Sequence, residues 1–206
     1  MKEVPLFPLP LVLFPGGKLS LQIFEARYLD MIKKCLRERT GFGIVLITHG
    51  DRILASPDEQ LPEISHCGTY SNIIDFDQSS NGMLSVVVEG DRKFVIRDQY
   101  EQPDRLMMAN VEFLAVEPEV VVPEEKQHLS GLLESLMVHE AVQRLGLDCD
   151  LGQAAEVGAR LTELLPCPNH FKQRMLEMKD PLERLGELDR LVERMQKSSE
   201  PVAKSS

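Results

Sequence analysis

The feature that most constrains this chain is a change in the spacing of its apolar residues at Glu117-Pro118. Before it, apolar side chains recur at every second position or in short runs between turn residues, as they do in strands. After it they recur at every third and fourth position, as they do in helices that bury one side. The order predicts an α+β chain, with a mostly antiparallel β-domain over 1–117 and a small helical bundle over 118–197. The tail 198–206 has no apolar period and is expected to be disordered.

Within the first part, Leu19, Leu21 and Ile23 alternate with Ser20 and Gln22, and residues 42–48 read FGIVLIT, apolar enough for a strand buried on both faces. Asn81-Gly82 and Gly90-Asp91 each stand between strand-like runs and are read as hairpin turns. A further strand is expected over 106–116, in which Met107 and Met108 point to opposite faces, one of them free to be exposed. A single helix interrupts the strands over 25–39, with Tyr28, Leu29, Ile32, Cys35 and Leu36 on one face and Gly41 to end it. In the second part, Pro123-Glu124-Glu125 opens a helix whose stripe from Leu129 to Leu145 stays inward until Gly146. Helices follow over 153–165 and 169–178, and a last one starts at Asp180-Pro181, a cap followed by a first-turn proline.

Charge narrows the partners. The formal net charge is -10, with 12 basic and 17 acidic residues before position 118 and 11 and 16 after it, so neither part is a hidden basic arm. Phosphate contacts need Lys or Arg to release counterions, so neither nucleic acid nor an anionic membrane is an expected partner. Four prolines break the apolar stretch of residues 1–17, no helical apolar run reaches about 18 residues, and the expected location is the cytoplasm. Cys35, Cys67, Cys149 and Cys167 are widely spaced, form no C-x-x-C pair and are expected to be free thiols.

Little in this framework carries chemistry. Pro15-Gly16-Gly17-Lys18 fails as a phosphate loop, because G-x-x-x-x-G-K-[ST] would put Gly at 12 and Ser or Thr at 19, where Val12 and Leu19 stand. His139-Glu140 has Gln143 and Arg144 where a second metal-binding His would follow. His66 and Cys67, as neighbours on a strand, point to opposite faces. No catalytic residue, metal site or cofactor is expected.

The segment PLFPLPLVLFPGGKLSLQIFEARYLDMI, from Pro5 to Ile32, resembles the opening of the amino-terminal domains of Lon proteases. There, two proline-bearing apolar segments lead through a Phe-Pro-Gly turn and a short strand into a Phe-Glu-x-Arg-Tyr helix start. The resemblance continues at FGIVLI, CGTYSNIIDF, VVVEGDRKFVI and ELLPCPNHFKQRMLEMKDPLERLGEL, and covers about nine tenths of the chain. It implies a PUA-like β-barrel with one inserted helix, followed by a helical bundle, and it implies recognition of unfolded or apolar-rich protein segments. A protease or chaperone is a further partner it suggests. The family's ATPase and Ser-Lys peptidase lie downstream of this domain, and no Walker or peptidase signature occurs in these 206 residues. The expectation is a stand-alone, non-catalytic binding module.

Four residues of the opening motif are expected to take part in binding: Phe14, Pro15, Phe24 and Arg27. Each has a structural reading beside the functional one. Phe14-Pro15-Gly16 is also a tight turn, Ile23-Phe24 also a piece of core, and Arg27 also an ion-pair partner for Glu25. Contacts at such a site would be apolar and backbone-mediated, with little dependence on salt. Two alternatives stand beside this reading. One is a small-molecule enzyme or sensor with a pocket between barrel and bundle. The other is an RNA-binding PUA-like protein, opposed by the acidic balance and by only three Tyr, eight Phe and no Trp for stacking.

Overall fold

A computed structural model describes residues 1–50, 60–78 and 83–199. Six strands, β1 (Lys2–Leu9), β2 (Lys18–Ile23), β3 (Phe42–His49), β4 (Glu63–Gln78), β5 (Leu84–Glu101) and β6 (Met107–Phe113), form one sheet in the order β2-β5-β4-β3-β1-β6. An additional β5–β6 pairing returns the sheet on itself, so five strands close a circuit and β2 lies outside it. Only β1 and β3 pair in parallel; the other ladders are antiparallel. This is the expected barrel in an irregular form.

The irregularity comes from length. β4 and β5 have 16 and 18 residues, too many to serve one side of a small barrel, and register shifts at Tyr70/Ser71, Ile73/Asp75 and Ile96/Asp98 bend them. One half of β5 pairs with β2 beneath α1 (Ala26–Glu38), and the other half pairs with β6. Gly90-Asp91 is therefore not a hairpin: β5 runs straight through it, and Asp91 is the extra residue of a bulge between the pairs Ser71↔Gly90 and Tyr70↔Arg92. Glycine is needed at 90 for space, since a Cβ there would lie 2.3 Å from the backbone oxygen of Phe14. The turn expected at Asn81-Gly82 falls outside the described residues. Its flanks pair antiparallel up to Gln78↔Leu84.

Three apolar clusters fill the molecule. One lies beneath α1, where Tyr28, Met31, Ile32 and Cys35 meet Leu21, Ile23 and Val86. Another fills the barrel with Leu6, Phe94, Ala109 and Val111. Met107 joins this second cluster and Met108 the first, so both faces of β6 are covered and neither methionine is exposed. The helix α1 ends at Arg39 in the left-handed region (φ 54), two residues before the expected Gly41.

The third cluster joins the helices to the barrel. A short 3₁₀ helix (Glu124–Lys126) precedes α2 (Gln127–Met137), α3 (Glu140–Gln143), α4 (Ala154–Leu164), α5 (Asn169–Glu177) and α6 (Pro181–Ser199). The single helix expected up to Gly146 is broken at His139, which has extended backbone (φ -67, ψ 132). Val138 just before the break and Leu145 beyond it are exposed, so no buried stripe requires the helix to continue. Helix α3 ends at Gln143, and Gly146, with positive φ, closes the turn that follows by donating to Gln143 O at 3.0 Å. Asp180 caps α6 by accepting the Leu182 N–H at 2.8 Å. Helix α4 is buried on nearly every side, from Ala154 and Val157 through Leu161 and Thr162, and packs against α2, α5 and α6. No described helix is long and apolar enough to cross a membrane.

Candidate functional site

The Phe14-Pro15-Gly16-Gly17 segment is a tight turn: the Gly17 N–H donates to Phe14 O at 3.0 Å, and Gly16 takes φ +73. β5 holds one side of it, with Gly16 N–H to Gly90 O at 2.8 Å and Gly90 N–H to Gly17 O at 2.9 Å. Helix α4 holds the other. Glu163 Oε1 accepts the Phe14 N–H at 2.8 Å, and Arg160 Nη2 donates to Pro15 O at 2.6 Å while pairing with Glu163 at 2.9 Å. Burial raises the Glu163 carboxyl to about 6, against the downward pull of Arg160, the Phe14 amide and Lys172.

Beside this turn is a second buried set of charges. Lys93 of β5 donates to Glu117 at 2.5 Å and to the carbonyls of Leu176 and Met178 at 2.9 and 2.7 Å. Arg184 of α6, 1 % exposed, grips both Glu117 oxygens, donates to Met175 O and Met178 O, and lies 5.7 Å from the Phe14 ring centroid. Burial lowers the Lys93 pKa, outweighing the hydrogen bond and charge of Glu117. For Glu117, burial would raise the pKa, but the bonds and charges of Arg184 and Lys93 together bring it below the ordinary carboxylate value. These groups use their donors on one another and on helix-end carbonyls. They clamp α5 and α6 to the barrel.

Between the turn, the clamp and α4 opens a cleft of about 480 Å³. Phe14, Pro15, Leu114 and Ala159 give it apolar walls, and residues 114–119 run along one side. After the Leu114 N–H, which donates to Lys93 O at 2.9 Å, the backbone of Ala115, Val116 and Glu119 makes no hydrogen bond among the described residues. Val116 is 80 % exposed. Gln153, whose side-chain oxygen is enclosed without a hydrogen-bond partner among the described residues, also borders the cleft.

Of the four residues singled out by sequence, the structure brings two to this cleft. Phe14 lines it as a buried wall, 1 % exposed, and Pro15 stands at its edge. Arg27 and Phe24 do not line it. Arg27 is spent on Glu25 (3.1 and 2.7 Å) and on Arg105 O (2.9 Å), stacked near Tyr28 at the root of α1. Phe24 departs from its core reading: Ile23 is buried but Phe24 is 48 % exposed at the turn into α1. Sequence reasoning passed over Lys93, Glu117, Gln153 and Arg184. Lys93 lies in the VVVEGDRKFVI segment and Arg184 in the KDPLERLGEL end of the last matching segment, while Glu117 marks the change of period.

The described residues contain no cluster of three or more His, Cys, Asp or Glu side chains able to hold a metal. Burial pushes the Cys67 and Cys149 thiols up to about 11, far from a reactive thiolate at neutral pH.

Residues 3–194 match the family model described as the ATP-dependent protease La (LON) substrate-binding domain. The chain is 24 % identical over 204 aligned positions to the Lon protease of Cytophaga hutchinsonii, covering 93 % of this chain and 24 % of that protein. It thus spans about a quarter of the length of that curated relative. Among solved structures it is similar to a Lon N-terminal domain protein from Xanthomonas campestris, with a TM-score of 0.73, 31 % identity and coverage of 91 % of this chain and 97 % of that one. The N-terminal domain of the Mycobacterium avium complex Lon protease shares the fold, with a TM-score of 0.54 and 17 % identity over 91 % of this chain and 96 % of that one.

Proposed function

The chain belongs to the family of the ATP-dependent protease La (LON) substrate-binding domain, and on that premise we propose that it binds extended polypeptide segments in the cleft between barrel and helices, with no ATP hydrolysis or peptide cleavage by its own residues. The observation that carries this reading is the stretch Ala115–Glu119. It lies outside any helix or strand, is largely exposed, has no backbone partners among the described residues, and borders a cavity with apolar walls. A segment laid beside it gains main-chain hydrogen bonds from Ala115 and Val116, and its side chains find Phe14, Leu114 and Ala159. The charged groups deepest in the cleft, Lys93, Glu117 and Arg184, are committed to one another, which suits a surface that binds more than one that reacts.

Ordering a flexible peptide offsets much of the apolar gain, so micromolar affinity is expected. Val116→Asp puts a charge on the exposed wall, and Ala155→Trp fills the cleft from α4. Each should weaken binding of an unfolded-protein peptide by about tenfold or more. Val116 is exposed, so its replacement should shift stability by about 0.5 kcal/mol or less. Ala155 is half-buried, and a thermal melt of its variant, measured beside the titration, separates lost binding from lost folding. Unaltered affinity in both variants would place the site elsewhere and end this reading.

A further inference from the structure

The walls of the cleft are apolar, but its mouth is acidic. Asp91, Glu119, Asp150 and Glu156 all border it, and all four are exposed. Their negative charge is little compensated. Asp150 Oδ1 and Glu156 Oε2 accept neutral backbone amides, from Gly152 at 2.8 Å and from Asp150 at 2.7 Å, which leaves both charges in place. Glu119 has no ion-pair partner among the described residues. Asp91 has Arg92 at 4.0 Å, but that guanidinium is turned over the Phe113 ring, 4.6 Å from its centroid. The other two cations of the cleft, Lys93 and Arg184, share the single carboxylate of Glu117, so the lining as a whole has five carboxylates against three cations. A ligand therefore meets apolar walls, the unpaired backbone of residues 115–119 and a surplus of carboxylates around them.

Resting on the polypeptide-binding reading above, we propose that the preferred occupant is an extended segment whose apolar side chain is flanked by Lys or Arg, the apolar group seated against Phe14 and Leu114 and the cation held at the acidic mouth. An acidic flank is disfavoured both by this mouth and by the chain's net charge of -10. This revises the expectation of salt-insensitive contacts. The apolar part of the affinity resists salt, whereas discrimination between flanks fades as the Debye length shrinks.

The test uses three capped peptides of the pattern X-Val-Phe-X carrying the same dye, with X lysine, serine or glutamate, titrated by fluorescence anisotropy. The lysine peptide should bind about tenfold tighter than the glutamate peptide at low salt, with serine between them, and the gap should close to about twofold near 1 M salt. In the double variant Asp91→Lys/Glu119→Lys the order should invert, with the serine peptide little changed. Equal affinities, or tighter binding of the glutamate peptide, overturn the charge preference alone if the uncharged cleft-filling variant Ala155→Trp still weakens binding of all three peptides. Failure of all three peptides to bind, or binding untouched by Ala155→Trp, overturns this proposal together with the polypeptide reading.

Discussion

Around the barrel, each strand finds its neighbour through a backbone ladder, and only the β1–β3 pair departs from the antiparallel pattern. The helices have no such ladder. They find their places through a core that starts with Val12, Phe14, Leu46 and Cys67 of the barrel and continues through Leu129, Leu133, Val157, Leu161, Met175 and Leu185. Where that core meets the surface, polar side chains do the fastening: Lys93, Glu117 and Arg184 on one side of the Phe14 turn, Arg160 and Glu163 on the other. A region assembled by ladders tolerates changes that leave its backbone room. One assembled by buried charges depends on single atoms.

The largest effect is expected at Glu117. Replacing it with Ala leaves Lys93 and Arg184 buried without their shared counter-charge, and loss of one partner of a buried pair costs about 3–5 kcal/mol. Glu119→Ala, two residues on and exposed, should change stability by less than about 0.5 kcal/mol. Urea denaturation of the two variants measures the difference. Equal midpoints would show that the clamp does not fasten the helices.

Glycine substitutions sharpen the contrast with opposite signs in the two regions. At Gly90 an added Cβ meets the Phe14 carbonyl oxygen at 2.3 Å, a backbone atom in a braced turn, so Gly90→Ala should destabilise by about 1–3 kcal/mol. Gly131 lies within α2 with nothing within 4 Å of a new Cβ, and Gly131→Ala should stabilise by about 0.5–1 kcal/mol. Thermal melts of both variants read the signs directly.

The smallest effect concerns pH. Because burial holds the folded Glu163 carboxyl at about 6, above its ordinary 4.5, the folded state binds the proton more tightly than the unfolded chain does. Its contribution to stability is fully present below pH 4.5 and is lost as pH rises through 6. Glu117, held low by Arg184 and Lys93, and Asp189 of α6, held low by its hydrogen bond from Lys126, contribute in the opposite sense, their stabilisation being lost as pH falls. Glu163→Gln should therefore cost less at pH 7 than at pH 4.5, measured as the difference in urea midpoint from the parent. A cost that grows toward pH 7 would contradict a raised Glu163 pKa.

The outline of the fold was legible because binary pattern is local. Alternation at Leu19–Ile23, the apolar run at 42–48 and the inward stripe of α6 each follow from side-chain spacing along one element. Gly90-Asp91 misled for an instructive reason. Glycine next to aspartate marks a turn when backbone conformation is at stake, yet here it marks the approach of another segment 76 residues earlier in the chain, at Phe14. The broken helix at His139 was hidden likewise, since no Gly or Pro announces it and only the absence of a surface to pack on explains it.

Half of the expected binding set reached the cleft, for the same physical reason. Phe14 and Pro15 stand in a turn whose shape is local; Phe24 and Arg27 belong to the strand-to-helix join, where Arg27 makes the Glu25 pair that its spacing suggested, while spacing could not say that Phe24 faces outward. From its own order of residues the chain determined the strand-then-helix division of periods, the Phe14–Gly17 turn, the Asp180 cap and a surplus of negative charge. Only tertiary structure decided that the barrel closes through β5 and β6, and that Lys93, Glu117 and Arg184 meet beside that turn. Spacing along an element decides which side chains share a face, but partners 24 and 67 residues apart are chosen by packing, which no local pattern encodes.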